Sequence, residues 1–155
     1  MIKKELTRTE AKEKALRLLA FRSHSEKELL EKLKRAGAKS EDLPPVVEFL
    51  KEYGFLNDEQ YGVHLAKDLK NIKKYGKRRI VAELKNKGIK QEYIDAALAE
   101  LEDDEEDALL PLIFRKLGGN YEQKNIDRAI RYFIYRGYGF DDIKKCIEKI
   151  KQETE

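Results

Sequence analysis

Between Lys67 and Lys90 the chain sets ten lysines and arginines against only two acids, Asp68 and Glu83. Lys70, Lys73, Lys74, Lys77, Arg78 and Arg79 surround a turn between two helical patterns, and Lys85 and Lys87 follow in the next helix. Such density suits phosphates or an acidic protein surface. The N-terminal amides of the helix that begins at Gly76–Lys77 are expected to add to the pull on an anion. The competing reading is a solvated face of a lysine-rich protein. A second group lies near the end, where Arg128, Arg131 and Arg136 alternate with Tyr132, Phe133, Tyr135, Tyr138 and Phe140. Arginines among aromatic rings can stack on nucleobases. Helical spacing sends Phe133 to the core and leaves the tyrosines divided between packing and a partner-binding surface.

Other reactive residue types form no site. Residues Glu100 to Asp107 hold seven acids in eight positions. Consecutive acids on a helix do not converge on one ion, so the run is expected to solvate and to favour a helix N-terminus. His24 and His64 have no ligand-type residue at metal spacing and are expected to be surface or half-buried. Cys146, the one cysteine, precedes an inward Ile147, has no histidine near it and cannot form an intramolecular disulfide. Phosphate-binding glycine loops, nucleophile elbows and zinc signatures are absent, so no catalytic residue, metal or cofactor is expected. The N-terminus lacks the apolar core of a signal peptide and no stretch of 18 apolar residues occurs, which predicts a soluble cytoplasmic protein. The net charge of +3 says little beside its uneven distribution.

The elements that must position these residues follow a repeat. One twelve-residue pattern, with apolar residues at the fourth and eighth steps and glycine at the twelfth, runs from Ser25 to Gly37, from Gly76 to Gly88 and from Asn125 to Gly137. A period near fifty residues marks a repeat architecture. With no alternating β pattern, the fold class is all-α, three tandem three-helix units of helix-turn-helix type, at 1–56, 57–102 (basic) and 103–155. Capping boxes are expected at Thr7–Glu10 and Ser25–Glu28. Pro44 and Pro45 suit a first helical turn. Tyr53 and Ile72 extend apolar stripes, Pro111 kinks a helix or marks its start, and Asp141 or Asp142 caps the last helix. Each triplet is too small to bury its apolar faces alone, so packing along the array should complete the cores.

Four stretches together resemble the RecX family of bacterial recombinase regulators. They are Ala15–Leu19 with Arg22–Leu29 and Lys32–Leu33; Gly54–Tyr61; Tyr75–Ile80 with Leu84 and Lys87–Ile89; and Arg136–Tyr138 with Asp141–Ile143. The chain departs from the family pattern at Pro111 and Gly139. The resemblance implies an elongated, curved array of three repeats and no catalytic residues. It also implies binding to the RecA recombinase filament on DNA, with restraint of strand exchange, ATP hydrolysis and co-protease action. The partners expected are this filament and single- or double-stranded DNA, with no membrane and a monomeric chain. A DNA-binding helical module acting without a recombinase, and a scaffold for another protein, stand as alternatives.

Overall fold

The computed structural model describes residues 4–101 and 104–154. Among them the regular structure is helical: α1 Arg8–Phe21, α2 Glu26–Arg35, α3 Leu43–Glu52, α4 Asp58–Asn71, α5 Lys77–Asn86, α6 Gln91–Ala99, α7 Glu105–Leu117, α8 Gln123–Tyr135 and α9 Phe140–Thr154. A short 3-10 turn at Ser40–Asp42 leads into α3, and one isolated parallel bridge pairs Leu6 with Ala38. The chain divides into two compact units, Met1–His64 with Leu84–Asp95 and Leu65–Glu83 with Ala96–Glu155. The middle triplet, α4 to α6, therefore contributes to both.

In the first unit α1, α2 and α3 enclose a core of Ala11, Ala15, Leu29, Leu33, Val46, Val47 and Leu50. The small alanines of α1 let the helices approach closely. The Thr7–Glu10 capping box forms in both directions. That of α2 forms in one only: the buried Ser25 hydroxyl accepts from the Glu28 amide, while the Glu28 carboxylate turns to Arg22 and Lys87. Tyr53 is not part of the stripe. It is 64% exposed, its ring 4.8 Å from that of Phe49, because α3 ends before it.

In the second unit α7, α8 and α9 pack around Leu109, Ile113, Ile126, Phe133, Ile143 and Ile147. Pro111 sits inside α7, which starts at Glu105 with Asp104 as N-cap, so the proline does not mark the start. The missing amide of Pro111 falls on the exposed side of the helix, where water can satisfy the orphaned carbonyl. Asp141 and Asp142 lie within the first turn of α9 and favour its dipole from there, while Gly139 supplies the first carbonyl. Ile72 is 71% exposed, since α4 ends at Asn71 and the buried stripe runs through Ala66 and Leu69.

Gly37, Gly88 and Gly137, the twelfth residues of the pattern, all have positive φ, and each also faces a neighbour. A Cβ on Gly137 (φ +101) would strike the backbone of Arg79, whereas one on Gly119 (φ +79) would meet open space. Gly137→Ala should therefore cost more than about 2 kcal/mol and Gly119→Ala only about 1 kcal/mol, the latter being left-handed strain alone. Urea unfolding of the two variants checks this; equal losses would mean that the close approach contributes nothing.

Candidate nucleic-acid or protein interface

The basic turn between α4 and α5 lies in the second unit and is held by backbone bonds. The Gly76 amide donates to the Arg136 carbonyl (2.9 Å) and the Arg78 amide to the Gly137 carbonyl (3.2 Å). The two chain segments come so close that a Cβ on Gly76 would lie 2.5 Å from the Gly137 oxygen. Lys74 takes a left-handed conformation at φ 59, and the Tyr138 hydroxyl donates to its carbonyl at 2.8 Å. The Arg136 guanidinium donates to the Lys73 carbonyl. Burial pushes the Tyr138 phenol up to about 12, so it stays a donor.

This geometry overturns one expectation. The first amides of α5 are not open to an external anion: the Glu105 carboxylate accepts from the Lys77 amide at 2.6 Å and Gly137 takes the next. Glu105 belongs to the acidic run, so part of that run is consumed in capping. Asp104 caps α7 and Glu106 pairs with Lys149 at 2.7 Å. Glu102 and Asp103 of the same run lie outside the described residues.

The side chains named in the sequence fall into three groups. Lys73, Lys74, Lys77 and Arg78 are exposed around the turn, and none pairs with an acid among the described residues; Lys70 beside them is partly covered. Arg79 and Arg136 are half-buried and bound to the protein itself instead. Arg79 binds Glu83 at 2.9 Å and the Tyr135 carbonyl at 3.2 Å, and its guanidinium lies over the rings of Tyr75 and Tyr135. Arg136 lies over Tyr75 and Tyr132. Arg128 and Arg131 stand exposed on α8. The tyrosines divide: Tyr138 is 3% exposed and Tyr135 74%.

Lys85 and Lys87 belong to the first unit. Lys85 is exposed, but Lys87 pairs with Glu28 at 3.3 Å. Arg22 binds the same carboxylate at 2.8 Å, and chiefly that bond holds the Glu28 carboxyl down at about 2. His24, expected at or near the surface, is 2% exposed. Its Nδ1 lies 2.9 Å from the Arg22 carbonyl and its Nε2 2.7 Å from Lys32 Nζ, and burial lowers its pKa. Cys146 is fully buried, its Sγ near the Glu106 carbonyl, and burial pushes the thiol up to about 11. Among the described residues no cluster of His, Cys, Asp and Glu is placed to hold a metal, and no helix is long and apolar enough to cross a membrane.

Sequence reasoning missed Arg115 and Lys116. Both stand on the last turn of α7, and with Lys74, Arg136 and Tyr132 they line one cleft; Lys116 Nζ lies 4.0 Å over the Tyr132 ring. Their signal was a basic last turn before Gly118–Gly119, which helix-dipole logic accounts for without a site.

Two outcomes follow from these bonds. Glu28 has a depressed folded pKa, so its contribution is whole above its ordinary value of 4.5 and is lost as pH falls toward about 2. The stability gap between wild type and Glu28→Gln should be on the order of 1–3 kcal/mol near neutral pH and close through that acid window, as measured by denaturant unfolding. Tyr138→Phe leaves the Lys74 carbonyl without its donor and should cost about 1 kcal/mol. An unchanged midpoint would remove the phenol from the account of the turn.

Comparison with known proteins gives consistent matches. The family profile described as RecX, first three-helix domain, matches residues 11–50, and that described as RecX, second three-helix domain, matches residues 57–98. The Regulatory protein RecX of Vibrio campbellii is 32% identical over 139 residues, covering 88% of this chain and 89% of the relative. That of Clostridioides difficile is 31% identical over 144 residues, covering 90% and 68%. The crystal structure of RecX from Lactobacillus salivarius superposes with a TM-score of 0.80 at 18% identity, covering 94% of this chain and 97% of that one, a likeness of fold.

Proposed function

The chain belongs to the RecX family, and from that premise we propose that it binds the RecA recombinase filament on DNA and inhibits its recombinase, ATPase and co-protease activities. It does so as a cytoplasmic, monomeric, non-enzymatic regulator made of three repeats, 1–56, 57–102 and 103–155. The name Regulatory protein RecX, carried by its relatives, supports the class of function. The observation that carries the contact surface is the α4–α5 turn, where Lys73, Lys74, Lys77 and Arg78 are exposed and unpaired on a backbone tied at both sides.

Four cations held on a fixed turn lose little freedom when they meet phosphates or carboxylates, which favours binding. Lys70, Arg128 and Arg131 widen the positive field of the second unit, which steers a negatively charged filament toward it. Arg79 and Arg136 act differently: they hold the surface in place through internal bonds, while Lys87 is engaged by Glu28 within the first unit. The stacking of Arg79 and Arg136 on the protein's own tyrosines also weighs against base-stacking as the main mode of attachment.

The test is ATP hydrolysis by RecA on single-stranded DNA, with this protein added below recombinase stoichiometry. Wild type should inhibit. Reversal of Lys73, Lys74, Lys77 and Arg78 to Glu should raise the concentration for half-inhibition roughly tenfold or more, as expected when several charge contacts are lost. Full inhibition by a folded quadruple variant would reject this contact surface. Tight binding of wild type to bare DNA, with no effect on the filament, would favour a DNA-binding module instead.

A further inference from the structure

Beside the basic turn, within the second unit, lies a cavity of about 330 Å³ that the charge pattern did not reveal. Ile80, Leu101, Ala108, Pro111 and Leu112 form the aliphatic part of its wall, and Lys70, Asn71, Tyr75, Glu105 and Tyr138 belong to the rest. Lys74, Lys77 and Arg115 also line it, and none pairs with an acid among the described residues. Its size is at the lower end of ligand pockets, and like them it combines apolar wall with charged groups.

Two of the polar groups at the cavity are already committed. Glu105 is bound to the Lys77 amide and the Tyr138 hydroxyl to the Lys74 carbonyl. The Tyr75 ring carries the guanidiniums of Arg79 and Arg136, and Tyr138 is buried edge-on to Phe133. A nucleobase would find no vacant ring face to stack on and, against the aliphatic part of the wall, would lose hydrogen bonds that it makes to water. An aliphatic or aromatic side chain loses nothing there and gains burial. Carboxylates flanking that side chain would meet Lys74, Lys77 and Arg115.

We propose that this cavity docks a peptide segment of a partner protein in which an apolar side chain is flanked by acidic residues. The proposal deepens the filament reading and rests on it for one point only, that the turn faces a protein and not bare nucleic acid. The cations supply long-range attraction and orientation, and the cavity supplies selectivity for an apolar residue.

The experiment uses the whole 155-residue chain, labelled with nitrogen-15, and three probes: a blocked peptide with Leu-Phe between two pairs of Asp, the same peptide with Ser-Ser at its centre, and a short oligothymidine. The first peptide should give saturable amide shifts at Ile80, Ala108 and Leu112, and the serine peptide should bind about fivefold more weakly or worse. Leu112→Trp, which fills the cavity, should abolish the shifts. If that variant does not fold, Lys77→Glu with Arg115→Glu, both on exposed positions, should weaken the first peptide by a similar factor. The proposal is overturned by equal binding of the two peptides, by the absence of shifts at millimolar peptide, or by cavity amides that respond to oligothymidine alone. Filament inhibition is measured on the same samples. Inhibition without peptide shifts overturns the docking site alone, and peptide shifts without inhibition overturn the filament reading alone.

Discussion

The first turn of each of the first two middle helices is closed by residues from the following repeat, and much of the structure depends on that closure. A helix N-terminus leaves amides without partners. In α2 the Glu26 amide is satisfied by Asp58, the first residue of α4; in α5 the Lys77 amide is satisfied by Glu105, the first residue of α7. The far end of the next middle helix completes each junction. Lys27 reaches the Asn86 carbonyl at the end of α5, and Arg79 reaches the Tyr135 carbonyl at the end of α8. Gly88 and Gly137 lie against those same two side chains, where a Cβ would not fit. One junction falls within each compact unit, which gives a physical reason for the division through the middle triplet.

This closure was only half legible in the sequence. The glycine at the twelfth step was readable as a helix stop, because left-handed backbone favours it. Its second duty, admitting the first turn of another helix, depends on a neighbour about fifty residues away and leaves no local mark. The same holds for Asp58 and Glu105, which carry N-terminal character for their own helices and cap another as well. Helix positions and core stripes were legible wherever periodicity decided them, as in α2, α8 and α9. They failed where the helix stopped sooner than the apolar pattern, as at Tyr53 and Ile72. His24 escaped for a different reason: a turn histidine is ordinarily wet, and only tertiary packing on Lys32 and the Arg22 carbonyl buries it.

The candidate surface shows the same division. The density of lysine was legible, but density does not say which charges are available. Acids near the turn are engaged by groups other than its exposed side chains: Glu83 by Arg79, Glu105 by the Lys77 backbone amide, Glu106 by Lys149. The exposed positive field around Lys73 to Arg78 is therefore partly a product of how the acids are used in folding. A near-balanced composition, net +3, conceals a local excess of free cations. Arg115 and Lys116 join that excess only through the packing of α7, so no count along the chain could assign them.

The interior position of Cys146 has a practical consequence. It is the chain's single cysteine, sealed in the α7–α9 core with its thiolate disfavoured, so alkylating dyes and spin labels will react with it slowly while the fold is intact. A cysteine introduced at an exposed position would be the dominant reactive thiol without removal of the native one. The molecule is in this sense already prepared for single-site labelling, and distances from it to a partner could be read by fluorescence or paramagnetic resonance on an otherwise natural sequence.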